Sequence, residues 1–124
     1  CDVTHDTQSP MYNKIKDGDI SCGKGPVLTF GPAVQNNLLN FLRDVAEEAK
    51  IGVQLSAVSR STGTDTDAFA YSGEGVASAL ISLPQKYMHT TVETCHKDDI
   101  QACIDLYYAF LVKLEAGQSF SYFQ

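Results

Sequence analysis

PVLTFGPAVQNNLLNFLRDVAEEAKIGVQLSAV, residues 26 to 58, sets two short apolar runs on either side of a segment with a different period. Residues 26 to 30 are mostly apolar and are closed by Gly31-Pro32, which reads as a strand. From Pro32 to Lys50 the residues Val34, Leu38, Leu39, Phe41, Leu42, Val45 and Ala49 recur at the spacing of one helix face. Pro32 suits the first turn of that helix and Gly52 its end. Residues 53 to 58 then alternate apolar with polar, as a strand covered on one face does.

The same reading extends outward. The stretch DAFAYSG, residues 67 to 73, forms a short helix that Gly73 or Gly75 ends, and VASALISLP is apolar enough for a central strand that Pro84 terminates. Asp98 or Asp99 starts a last helix whose apolar face is Ile100, Cys103, Ile104, Tyr107, Phe110, Leu111 and Leu114, with Gly117 and a tail of residues 118 to 124 beyond it. Upstream, Val3 and Thr4 belong to a strand, and residues 6 to 26 form an irregular loop. Strands alternating with helices predict an α/β fold with helices on both faces of a largely parallel sheet.

Composition narrows the function. The chain has 124 residues, 44% hydrophobic and 19% charged, which suits one globular unit. Its nine Lys and Arg residues are scattered within a net charge of -6, so no basic stripe exists to neutralise phosphates, and nucleic acid is not an expected partner. No apolar stretch approaches the roughly 20 residues of a membrane span. Cys1, Cys22, Cys95 and Cys103 are irregularly spaced with no CxxC pair, so free thiols and a cytoplasmic location are expected.

In an open α/β sheet, ligands gather beyond the carboxyl ends of the strands. Asp2 lies in the first strand, the loop Gly63 to Asp67 follows the strand at 53 to 58, and His89 follows the strand at 76 to 83. If these ends adjoin, a carboxylate, an imidazole and a hydroxyl-lined loop converge on one cleft. Such nitrogen and oxygen donors suit zinc, although two side chains do not fill a tetrahedral shell.

The ordered motifs Gly63-Thr64-Asp65-Thr66-Asp67-Ala68, Gly75-Val76, Leu80-Ile81-Ser82-Leu83-Pro84 and Tyr87-Met88-His89-Thr90 with Val92-Glu93 resemble the signature of the tetrahedral, cellulase-M-like aminopeptidases. Asp2-Val3-Thr4-His5 and Gly23-Lys24-Gly25-Pro26-Val27 are similar to the same family's preceding segment. The resemblance implies a three-layer α/β/α fold with a mixed central sheet, carrying two divalent metal ions, zinc or cobalt, and hydrolysing the N-terminal residue of a peptide substrate. It implies Asp2 and His89 as metal ligands and places Thr64 or Asp65 near the substrate. Lys86 stands where the family often has arginine, and Thr90-Thr91 where it often has Ser-Pro.

The resemblance also implies further ligands and a general-base glutamate upstream of Asp2. Residues 1 to 124 are therefore expected to be the C-terminal portion of a catalytic domain, inactive alone, with the missing N-terminal part of the same enzyme as its partner and a homo-oligomer as the complete form. Glu47-Glu48 lies downstream, on the wet face of a helix, and is not expected to replace the base. His5 and His96 read as surface residues. The rival class is a non-enzymatic assembly or binding module derived from the same fold.

Overall fold

A computed structural model describes residues 1–123. In chain order it contains β1 (Asp2–His5), α1 (Lys14–Asp17), β2 (Val27–Phe30), α2 (Asn36–Glu48), β3 (Gln54–Ala57), α3 (Thr66–Ala70), β4 (Ile81–Lys86), β5 (Thr94–Cys95) and α4 (Lys97–Lys113). The β2–α2–β3 unit forms as its periodicity requires, with β2 and β3 parallel. Strand order is β1-β4-β2-β3, with β5 also paired to β4. The sheet is mixed: β1 runs parallel to β4, whereas β4 meets both β2 and β5 antiparallel. It thus consists of two parallel pairs that point in opposite directions.

Helix α2 begins later than Pro32, at Asn36, because Gln35 supplies the cap: its side chain accepts the Leu38 N–H at 2.9 Å. It also stops before Gly52. Lys50, at φ 57°, takes the left-handed position, and the Ile51 and Lys50 N–H groups bond back to Ala46 and Glu47, which satisfies the last carbonyls. Leu38, Leu39, Leu42, Val45 and Ala46 form its buried stripe, while Glu47 and Glu48 face water.

Helices α2 and α4 pack on one another and share a core with Leu28 and Ile81, so both cover the same face of the sheet. Leu28, Leu39 and Leu106 are fully enclosed there, and each contributes about 1.5–3 kcal/mol by leaving water. Register places Asp2, Ser82, Val27 and Gln54 on the opposite face, which carries loops and the short α1 and α3. The third layer is thin.

Two expectations change at the C-terminal half. Pro84 lies inside β4 rather than after it. Asp6 N–H donates to the Gln85 carbonyl, so Gln85 turns its backbone to β1, and Pro84 turns the other way. On that side β2 pairs only Ile81 and Ser82, and β5 ends opposite Gln85, so no strand asks Pro84 for a donor. The apolar face of α4 is also narrower than its sequence suggests. Only Asp99, Cys103 and Leu106 are buried, whereas Ile104 is 56% and Leu111 62% exposed, because no described residue packs outside them.

The tail folds back onto the start of α2. Asn36 N–H donates to the Tyr122 hydroxyl at 2.8 Å, Asn37 donates to the Phe120 carbonyl, and the Phe41 and Phe120 rings lie 5.5 Å apart. Gln124, the last residue of the expected tail, lies outside the described residues.

Candidate functional site

Strand direction decides which polar groups meet. Because β3 runs against β1 and β4, the loop after β3 emerges where β1 and β4 begin. That end also holds Asp2, the first residue of β1. A cavity of about 300 Å³ results, lined by Cys1, Asp2, Asp65, Thr66, Phe69, Ala77, Ser78 and Ala79. Two carboxylates from distant parts of the chain therefore face one hollow.

The loop is organised by a residue whose role the sequence did not show. Asp67 accepts the Thr62 N–H, the Thr62 hydroxyl and the Gly63 N–H, each at 3.0 Å. These donors, the Thr62 N–H foremost, hold its carboxyl below the usual range. The Thr64 hydroxyl is spent within the loop, bonded to the Thr62 hydroxyl at 2.8 Å. Asp65 caps α3 by position, but its carboxylate makes no capping bond and stays free toward the cavity. Asp2 is half-buried, and one of its oxygens accepts the Val3 N–H at 2.8 Å.

His89 sits elsewhere. Asp2 pairs with Ser82 at the start of β4, and His89 comes three residues after Lys86 at its far end. From Ser82 to Lys86 the strand rises roughly 13 Å. His89 is not among the residues lining the cavity of Asp2 and Asp65. It is exposed, in a turn where Tyr87 and His89 both have positive φ, and its N–H donates to Glu93 Oε1 at 2.5 Å. The loop then reverses into β5. The expectation that all three groups stand at carboxyl strand ends is thus corrected: Asp2 begins its strand, and the opposed directions of β3 and β4 separate the Asp65 loop from the His89 turn.

Oxygen donors of the Asp2 and Asp65 type suit a divalent ion, but among the described residues no three His, Cys, Asp or Glu side chains form a group that would hold one. No catalytic step through a metal follows from this chain alone. Cysteine chemistry is also muted. All four thiols are free, burial pushes the Cys22 thiol up to about 11 with help from the Asp6 carboxylate, and burial raises Cys103. His5, read as a surface residue, is half-buried, and its Nδ1 lies 2.8 Å from the Tyr12 hydroxyl. His96 is exposed and caps α4 by accepting the Asp98 N–H.

Known proteins match along most of this length. The family model of M42 glutamyl aminopeptidase matches residues 1–106. A lysyl aminopeptidase of Pyrococcus furiosus is 39% identical over 114 residues, which are 92% of this chain and 32% of that protein. The TET aminopeptidase of a marine sediment Thaumarchaeota archaeon superposes with a TM-score of 0.83 at 26% identity, over 92% of this chain and 32% of the other. The TET1 peptidase of Pyrococcus horikoshii, which assembles into a tetrahedron or a large octahedral shell, gives 0.68 at 28% identity, over 83% and 31%. The chain spans about a third of the length of these relatives.

Proposed function

Because the chain belongs to the M42 glutamyl aminopeptidase family, we propose that residues 1–124 are the C-terminal portion of the catalytic domain of a metal-dependent aminopeptidase. The complete protein removes the N-terminal residue of a peptide substrate. The observation that carries this reading is the cavity that brings Asp2 of β1 beside Asp65 of the loop after β3. The relatives named above, peptidases all, do not favour a non-enzymatic module.

In this proposal Asp2 and His89 would be metal ligands only together with residues outside this chain, and two divalent ions, zinc or cobalt, would supply an activated water and polarise the scissile carbonyl. Asp65, free of capping duty, is proposed to meet the substrate, with Thr64 shaping the loop behind it. The general base comes from outside these residues. The complete protein is proposed to be a homo-oligomer in the cytoplasm, in keeping with the assembly of the TET1 relative and with four free thiols. No helix among the described residues is long and apolar enough to cross a membrane, and neither a membrane nor nucleic acid is proposed as a partner.

The test is an assay of the complete protein on leucyl, lysyl and glutamyl anilides. Activity should vanish on chelation and return with zinc or cobalt, while residues 1–124 alone should give no turnover. Asp2→Asn and His89→Ala should each lower the metal content found by elemental analysis. Full metal content in His89→Ala would remove that residue from the ligand set, and metal-independent turnover would sink the reading.

A further inference from the structure

Strand β3 ends the sheet, with β2 on one side and no strand among the described residues on the other. The Gln54 and Val58 N–H groups donate to the Pro26 and Phe30 carbonyls at 2.8 Å, so alternate residues of β3 face β2. Leu55 and Ala57 therefore turn their backbone N–H and carbonyl groups outward, where no hydrogen bond among the described residues reaches them. Such an edge is normally blunted by a charge, a proline or a bulge. Residues 54 to 57, QLSA, contain no charge and no proline, and their register with β2 is unbroken. Leu55 is also left 47% exposed.

A cavity of about 370 Å³ runs beside this edge, between the flank of α2 and the side chains of Ile51, Val53 and Leu55. Arg43 and Glu47 line it from α2, and neither has an ion-pair partner among the described residues. Asp44 lines it too, but lies on the side of α2 opposite the buried stripe and so points away from the sheet. The Arg43 guanidinium stands 6.0 Å from the centre of the Phe30 ring, and Phe30 pairs with Ala57, so this charge lies at the Ala57 end of β3. Because α2 connects two parallel strands, it runs against them. Glu47 is one turn further along it, about 6 Å back toward Leu55. The edge thus has a cation near one end and an anion near the other.

We propose that this edge pairs antiparallel with the same edge of a second copy of the chain, about a twofold axis at Ser56. Leu55 then exchanges both its backbone bonds with Ala57 of the second copy, and the symmetric pair repeats the exchange. The Leu55 and Ala57 side chains of the two copies meet on the α2 side of the sheet and leave water together. The same axis brings Arg43 opposite Glu47 of the second copy, and Glu47 opposite its Arg43. Any extended peptide satisfies the backbone groups, but only a second copy supplies this charge match at both ends. The contact is one interface of the homo-oligomer proposed above and rests on that proposal only for its place in the complete protein; the pairing itself stands apart from the aminopeptidase reading.

Sedimentation of residues 1–124 over a concentration series reads the pairing, and the chain should pass from monomer to dimer. Leu55→Lys puts a charge on the edge and should weaken dimerisation by about tenfold. Arg43→Glu and Glu47→Arg should each weaken it by roughly threefold to tenfold, and the two changes together should restore it. Ile104→Lys, on the exposed face of α4, should leave it unchanged. Ser56 meets its own copy across the axis at a Cα separation of about 4.5 Å. Ser56→Cys in the complete protein, oxidised with glutathione disulfide, should therefore give two chains linked at that position, found by peptide mass spectrometry. A chain that stays monomeric, a dimer lost in Ile104→Lys but kept in Leu55→Lys, a charge swap that restores nothing, or no link at position 56 overturns the interface. None of these measurements reads turnover, so an inactive complete protein sinks the peptidase reading and leaves this interface standing.

Discussion

The carboxylate of Asp99 accepts the backbone N–H of Gly23 at 2.7 Å, tying the first turn of α4 to the loop that leads into β2. Gly25 N–H gives the other oxygen a second bond at 2.8 Å. The side chain is 1% exposed, so each bond stands where water cannot replace it. Asp99→Ala should therefore cost about 2–3 kcal/mol. Urea unfolding measures this, and a loss below about 0.5 kcal/mol would mean that the glycine N–H groups find other acceptors.

Gly25 makes a sharper test of the same junction. Its φ is 89°, and a Cβ placed on it would lie 2.1 Å from the Gly52 carbonyl oxygen, a backbone atom that cannot rotate away. Gly25→Ala combines a left-handed strain with a displaced backbone and should cost about 2–4 kcal/mol. Gly73→Ala shares the positive φ, at 57°, but meets nothing within 4 Å, so it should cost only about 1 kcal/mol. Equal losses would show that the clash relaxes.

Asp6 should make the fold acid-sensitive. Burial raises its carboxyl, but the Cys22 N–H at 2.8 Å and the Gln8 N–H at 2.7 Å outweigh burial and hold it below 3.8. The folded state thus favours the ionised form more than the unfolded state does. That stability is complete above the ordinary carboxylate pKa and is lost as pH falls through the lowered folded value. Between about pH 6 and pH 3, the melting temperature of Asp6→Asn should fall less than that of the unaltered chain. Parallel curves would place the acid sensitivity elsewhere.

Thiol labelling should follow burial. Cys1 is exposed, whereas Cys22, with its pKa near 11 and its Sγ donating to the Pro84 carbonyl at 3.4 Å, and buried Cys103 resist ionisation. At about pH 8 Cys22 stays almost wholly in its unreactive thiol form. Alkylation followed by mass spectrometry should modify Cys1 first and Cys22 and Cys103 last. Early modification of Cys22 would show that its loop opens.

Much of the fold was legible because it depends on local period. The stripe of Leu38, Leu39, Leu42 and Val45 identified α2, and the flanking runs identified β2 and β3 as its neighbours. The four-residue α1 and two-residue β5 were missed, since segments that short carry no period. Asp99 read as a cap candidate and proved a buried anchor, because the glycines it holds lie more than seventy residues away. Asp67 looked like any loop acid until its three donors were seen.

The order of residues alone determined the α/β class, the main helices and the family, all carried by hydrophobic spacing and ordered short motifs. Tertiary structure decided how the two parallel strand pairs are opposed, a matter of long-range pairing that no local pattern encodes. That opposition sets Asp65 beside Asp2 and leaves His89 at the other end of β4. It also gives Pro84 a place inside a strand, since the backbone bond that proline cannot make is one no neighbour there requires.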